Sequence, residues 1–149
     1  MSHVTFKQIF PQSRLDSPVP EAEALLQLAD RCERAVHQDQ SDCLREALGL
    51  IASLHPQLPT HTPASLERAL VYTHLGACES AVLSLMPMAA TYTGARLEDG
   101  TVIAQVALTP EISAHSRKGQ VLAMAWLAAL LRALSRFPHL AESAAERGR

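Results

Sequence analysis

The chain has 149 residues, of which 48% are hydrophobic and 19% are charged, and its formal net charge is −2 at pH 7. This composition excludes a disordered polymer, because such chains combine low hydrophobicity with high charge. It also excludes the broad positive field that gathers nucleic acid or anionic membrane surfaces. We therefore expect one folded domain with neither a nucleic-acid nor a membrane partner. The odd number of cysteines without a paired motif, and an N-terminal stretch without a signal-peptide pattern, favour the cytoplasm.

Two helices are predicted in the first third of the chain. Apolar residues recur at spacings of three and four over residues 20–37, where Pro20 suits a helix start. The same periodicity continues from Ser41 or Asp42 to the residue before Pro56. Residues 1–19 are expected to form an N-terminal extension that packs in part, because they include several large apolar side chains.

A third helix and a β-hairpin are predicted next. Thr62 and Pro63 suit the start of a helix that extends to about Met86, with a kink or a close helix contact at Gly76. Residues 91–108 then alternate Thr, Val, Tyr and Ile on both sides of an Asp-Gly pair, a pattern typical of a hairpin. The face of the second strand that carries Val, Ala, Val and Leu is expected to lie on the helices.

A fourth helix is predicted from residue 119 to residue 137. Its apolar residues spread nearly all round it, so it must be covered on most sides. We expect a second copy to complete this coverage, since two-fold homodimers are the commonest assemblies. The predicted interface residues are Trp126, Leu127, Leu130 and Leu131.

These elements predict a mainly α fold, described as a compact four-helix domain with one β-hairpin inserted before the last helix. The single domain is expected to span residues 20–140, with the hairpin at 91–108. The small, charged residues 141–149 are expected to form a frayed tail.

His74 and Cys78 form the most unusual pair in the predicted third helix. They are one turn apart and, with Glu67, fall in its apolar arc. Imidazole and thiolate at this spacing can share a zinc or copper ion with a ligand from elsewhere, or His74 can activate the Cys78 thiolate. The alternative is a core histidine beside a buried thiol. The three cysteines, of which the others are Cys32 and Cys43, stand on separate predicted helices and are interpreted as free thiols.

A polar cluster leads into the fourth helix. Backbone N–H groups at a helix start, together with hydroxyl and basic side chains, can bind phosphate, a carboxylate or a nucleotide tail. The alternative is an ordinary N-cap followed by solubilising charges. The candidate ligand-binding residues are His115, Ser116, Arg117, Lys118 and Gly119.

No Gly-rich phosphate loop, zinc-protease motif or nucleophile elbow is present, so no catalytic residue and no cofactor are assigned. The sequence favours a non-enzymatic interaction or regulatory protein, dimeric, that offers an apolar groove to a protein partner. The alternative is an enzyme or sensor that binds an anionic, phosphorylated or CoA-like small molecule at the polar cluster.

Overall fold

The structure is a computed structural model that describes residues 20–54, 58 and 61–138. Within these residues it contains five α-helices and one three-stranded antiparallel sheet. The helices are α1 (Glu21–Arg34), α2 (Gln40–Ser53), α3 (Pro63–His74), α4 (Cys78–Leu85) and α5 (Leu122–Leu134), and the strands are β1 (Thr91–Arg96), β2 (Val102–Ala107) and β3 (Ser113–Gly119). The predicted N-terminal extension and C-terminal tail lie outside the described residues.

The prediction of a mainly α, four-helix domain with a single hairpin is therefore wrong, because the fold mixes α and β structure. The predicted third helix is two helices. It begins as expected at Pro63, where the Thr62 hydroxyl accepts a hydrogen bond from the Ser65 N–H at 3.1 Å. It ends at His74, because Gly76 adopts a φ of +74° that no helix interior can contain.

The second correction is β3, which replaces the predicted polar connection before the last helix. The sheet order is β1-β2-β3, and β2 pairs with both neighbours. Ala104 lies opposite Ser116 while Val102 lies opposite Gly119, so a bulge leaves Arg117 and Lys118 facing the single residue Ile103. The bulge puts two exposed residues in succession, which interrupts the alternation that identifies a strand in a sequence.

Helix α5 lies at the centre of the fold. Ten of its 13 residues are buried, and many are alanines that allow close packing. It contacts α1, α2, α4 and all three strands. The predicted inward face of the hairpin is confirmed, since Val102, Ala104 and Val106 are buried. No helix within the described residues is long and apolar enough to cross a membrane.

Candidate functional site

The outer face of the sheet is an open surface built from three strands. The inner face packs on α5, whereas the outward residues of β1 are all exposed and those of β2 and β3 are exposed or half-buried. A shallow depression of about 660 Å³ lies on this outer face. Its lining includes Thr93, Ala95, Leu97, Ile103, Gln105, His115 and Arg117.

The edge of the sheet at β3 is covered by charged side chains. Alternate backbone groups of an antiparallel edge strand point away from the sheet. In β3, three of these outward groups are bonded by side chains from α1, from α5 and from the residues just after α5. The bonds run from the Arg117 N–H to Glu33 Oε2 (3.2 Å), from Arg132 Nη1 to the His115 carbonyl (3.0 Å) and from Arg136 Nη1 to the Ser113 carbonyl.

Glu33 is the centre of this covered edge. Its Oε2 also accepts hydrogen bonds from the Ser116 hydroxyl at 2.6 Å and from Arg132 Nη1 at 2.7 Å. The bond from Arg132, followed by those from Ser116 and Arg117, lowers the pKa of Glu33 to about 2 despite partial burial. Arg132 also pairs with Asp30 at 2.9 Å, so α1, β3 and α5 are joined at this edge.

The opposite edge, at β1, is open. The Leu97 N–H donates to the Thr101 carbonyl at 2.8 Å. This bond determines which residues of β1 direct their backbone groups toward β2 and which direct them away from the sheet. It follows that the backbone groups of Tyr92, Gly94 and Arg96 point outward. Within residues 61–138, no main-chain or side-chain group bonds them. Every residue of β1 is exposed, so this edge can receive another strand.

Trp126 holds the open strand in place. Its indole N–H donates to the Thr93 carbonyl at 3.2 Å, and its ring meets that of Tyr92 edge-on with centroids 5.6 Å apart. Gly94 makes room for this packing, because a Cβ there would lie 2.8 Å from Leu122 Cδ1. Strand β1 is therefore packed against α5 through Tyr92, Thr93 and Gly94.

The structure divides the predicted anion-binding cluster between the two faces of β3. His115 and Arg117 line the outer depression, and Lys118 is exposed beside them. Ser116 and Gly119 are buried at positions of the inner face, and Ser116 also borders the depression. The N-cap of α5 is Val121, so these five residues do not form the helix-start arrangement on which the anion site was predicted.

His74 and Cys78 do not share a helix. His74 ends α3 and is exposed, while Cys78 begins α4 and is half-buried. Glu67 is also exposed rather than on an apolar face. No group of three or more His, Cys, Asp or Glu side chains in the described part of the chain could hold a metal ion.

The predicted interface residues of the last helix lie inside the molecule. Leu127, Leu130 and Leu131 are completely buried, and Trp126 is half-buried beneath β1. Other elements of the same chain thus cover these leucines of α5, which the sequence analysis expected a second copy to cover. Sequence reasoning missed Glu33, Arg132 and the outward backbone groups of β1, because their roles depend on partners far along the chain.

No family model matches this chain, and comparison with curated proteins and with solved structures gives no match either.

Proposed function

We propose that this protein is a non-enzymatic interaction protein that binds an extended, acidic segment of a protein partner along the edge of β1. The observation that carries the proposal is the asymmetry of the sheet. Charged side chains of α1 and of the α5 region bond the edge at β3, whereas the outward groups of β1 have no partner among the described residues. An exposed edge that is ordered and uncovered is suited to strand addition.

A strand added to β1 would form main-chain hydrogen bonds with Tyr92, Gly94 and Arg96. Its side chains would point alternately to the two faces of the extended sheet. Those on the outer face would reach Ala95 and Leu97, and Leu97 is 44% exposed. Apolar residues at alternate positions of the partner segment would therefore bury surface that is now in contact with water.

The charge of the sheet favours an acidic partner. None of the three strands contains a carboxylate residue, whereas they contain Arg96, His115, Arg117 and Lys118. Three of these basic side chains belong to the exposed part of β3. A partner with carboxylates would be steered toward the sheet, while a basic partner would be repelled.

The test uses the direction of one backbone N–H. Arg96→Pro removes a donor that points outward, and proline is tolerated where an edge-strand N–H faces solvent. Arg96→Ala is the matched control, because it removes the same side chain and keeps the N–H. The probe is a phage-displayed library of random peptides selected on the wild-type protein, after which the enriched peptides are synthesised and titrated.

We expect enriched peptides that alternate apolar and acidic residues. Arg96→Pro should bind these peptides about tenfold more weakly than Arg96→Ala does, since a lost hydrogen bond and crowding by the proline ring together amount to roughly 1.4 kcal/mol. Equal binding to Arg96→Pro would overturn the proposal, as would a library that yields no binder.

A second copy of the chain is the other protein that fits this edge. Two β1 strands can pair antiparallel about Gly94, which would extend the three-stranded sheets into one. This homodimer would use the β1 edge, not the buried leucines of α5. Sedimentation equilibrium over a concentration series distinguishes it, because Arg96→Pro would then lower the dimer fraction while Arg96→Ala would not.

The second candidate function is the binding of an anionic small molecule in the outer depression. His115 and Arg117 both line the outer depression, whose size is within the range of ligand pockets. Saturable thermal stabilisation by inorganic phosphate, lost in the double variant Arg117→Ala with Lys118→Ala, would support it. Unchanged melting at millimolar phosphate would reject a phosphate site.

We propose the cytoplasm as the compartment of this protein. Cys32, Cys43 and Cys78 are all free thiols in the structure. Proteins of reducing compartments retain such thiols, whereas secreted domains of this size commonly pair them.

A further inference from the structure

Cys32 and Cys43 meet across the first two helices. Cys32 lies near the end of α1 and Cys43 lies in the first turns of α2, and a short 3-10 turn, His37–Asp39, reverses the chain between them. Both thiols are free, and both are buried in the apolar core that α1 and α2 share. Each thiol is the largest single influence on the pKa of the other, so the two side chains face each other between the helices. Two free thiols that face each other on adjacent helices are candidates for a disulfide.

The two thiols differ in their access to solvent. Cys43 lines a cleft of about 520 Å³ between α1 and α2, whereas Cys32 is completely buried and does not line it. The charged residues of the cleft are three arginines and three carboxylates, namely Arg31, Arg34, Arg45, Asp39, Asp42 and Glu46. Arg31 forms an ion pair of 2.6 Å with Glu46. A small reagent that enters this cleft therefore meets Cys43 first and finds Cys32 behind it.

The surroundings shift the pKa values of the two thiols in opposite directions. The hydrogen bond from Cys32 lowers the pKa of the Cys43 thiol, and the positive charge of Arg31 acts in the same direction. The same hydrogen bond and burial raise the pKa of Cys32. Cys43 is thus the more acidic of the two thiols, and Cys32 is the less acidic one.

We propose that Cys32 and Cys43 form an oxidisable dithiol, in which a hydroperoxide oxidises Cys43 and Cys32 resolves the product to an intramolecular disulfide. The Cys43 thiolate attacks the peroxide, the O–O bond breaks, and a sulfenic acid and one water (or alcohol) result once a proton is taken up. The Cys32 sulfur then attacks the sulfenic sulfur. Its proton leaves with the hydroxyl group as water, and the S–S bond forms. The two thiols supply both electrons that reduce the peroxide.

The wild-type chain provides the primary test. Reduced protein is treated with hydrogen peroxide, the remaining thiols are blocked with N-ethylmaleimide, and the product is digested with trypsin. Cleavage after Arg31, Arg34 and Arg45 separates the two cysteines onto residues 32–34 and 35–45. We expect these two peptides to be joined by a disulfide, with Cys78 found in its blocked form.

A denatured control shows whether the disulfide forms because of the fold or because the two cysteines are close in the sequence. The same reaction in urea removes the thiol–thiol contact and returns Cys43 to its ordinary pKa. We expect the disulfide to form more slowly there than in the folded protein at the same peroxide concentration. A rate in urea equal to or greater than the folded rate would overturn the proposal, as would a folded protein that oxidises only at Cys78.

Single variants identify the order of the two steps. Cys32→Ser should stop at a sulfenic acid on Cys43 that dimedone traps, and Cys43→Ser should yield no sulfenic acid at either position. Cys78→Ser is the matched control and should form the disulfide as the wild type does. Trapping of dimedone on Cys32 in the Cys43→Ser variant would show that the assigned roles are wrong.

Discussion

Glu33 joins three elements through one carboxylate oxygen. Its Oε2 accepts hydrogen bonds from Ser116, from the Arg117 backbone and from Arg132, which lie 83, 84 and 99 residues further along the chain. The Glu33 side chain is 17% exposed and that of Arg132 is 20% exposed. Charged hydrogen bonds at such partly buried sites stabilise more than surface ion pairs do.

We predict that Glu33→Gln destabilises the fold by about 2 kcal/mol near neutral pH. The folded pKa of about 2 lies below the ordinary 4.5. The stabilisation is therefore fully present above pH 4.5 and is lost as the pH falls toward 2. Urea unfolding across this interval should show the free energies of unfolding of wild type and variant converging at low pH.

Asp42→Asn is the control for this experiment. Asp42 forms an exposed pair with Arg45 at 3.5 Å, so its removal should change the free energy of unfolding by less than about 0.5 kcal/mol. A Glu33→Gln variant as stable as this control at neutral pH would contradict the prediction.

Strand β1 depends on α5 for its position. The strand is exposed along its whole length and, among the described strands, pairs with β2 alone, so its packing comes from Trp126 and Leu122 beneath Gly94. A two-stranded hairpin is marginal by itself. The contact under Gly94 is therefore the point at which the open edge can be weakened without touching β2 or β3.

Gly94→Ala should destabilise the fold by about 1 to 3 kcal/mol through overpacking. Its Cβ would lie 3.0 Å from Trp126 Nε1 and closer still to Leu122. Because Trp126 is the one tryptophan of the chain, its fluorescence reports the displacement directly during urea unfolding. Ala95→Ser, on the outer face of the same strand, should leave both stability and fluorescence near those of the wild type.

Strand β3 is the element that the sequence analysis did not predict. Its residues are mostly small or polar, and the buried Ser116 hydroxyl is satisfied by donating a hydrogen bond to Glu33. The bulge at Arg117 and Lys118 then removes the alternation expected of a half-buried strand. Nothing local in residues 113–119 therefore favours a strand, and pairing with β2 creates it.

At the scale of the whole molecule, α5 should be the most stable element and the β1 edge the least protected. We predict that, in dilute protein, the amides of Tyr92, Gly94 and Arg96 exchange quickly with solvent. Those of Thr93 and Ala95 should exchange slowly, because they point toward β2, and those in the middle of α5 should be slowest. Hydrogen exchange followed by NMR measures each amide separately.

The exchange pattern also tests the state of the edge. Fast exchange at alternate residues of β1 is expected of an uncovered strand. Uniformly slow exchange along β1 in dilute protein would contradict an open edge. Protection that appears only at high concentration would indicate pairing between two copies.

The sequence by itself determined the features that arise from local periodicity. Helices α1, α2 and α5, the hairpin with its Asp99-Gly100 turn and the inward face of β2 all follow from spacings of two to four residues and from turn chemistry. It also showed that the last helix must be covered on most sides. These properties depend on neighbours within a few positions, so the local sequence is enough to predict them.

Only the tertiary structure decided what covers that helix and which surface remains open. The coverage comes from α1 and a sheet completed by β3, so Leu127, Leu130 and Leu131 are buried within one chain. Glu33 and Arg132 bond one edge of the sheet, whereas no described residue bonds the outward groups of the other edge. Such contacts join residues more than 80 positions apart. Their energy depends on distance in space, which spacing along a sequence does not specify.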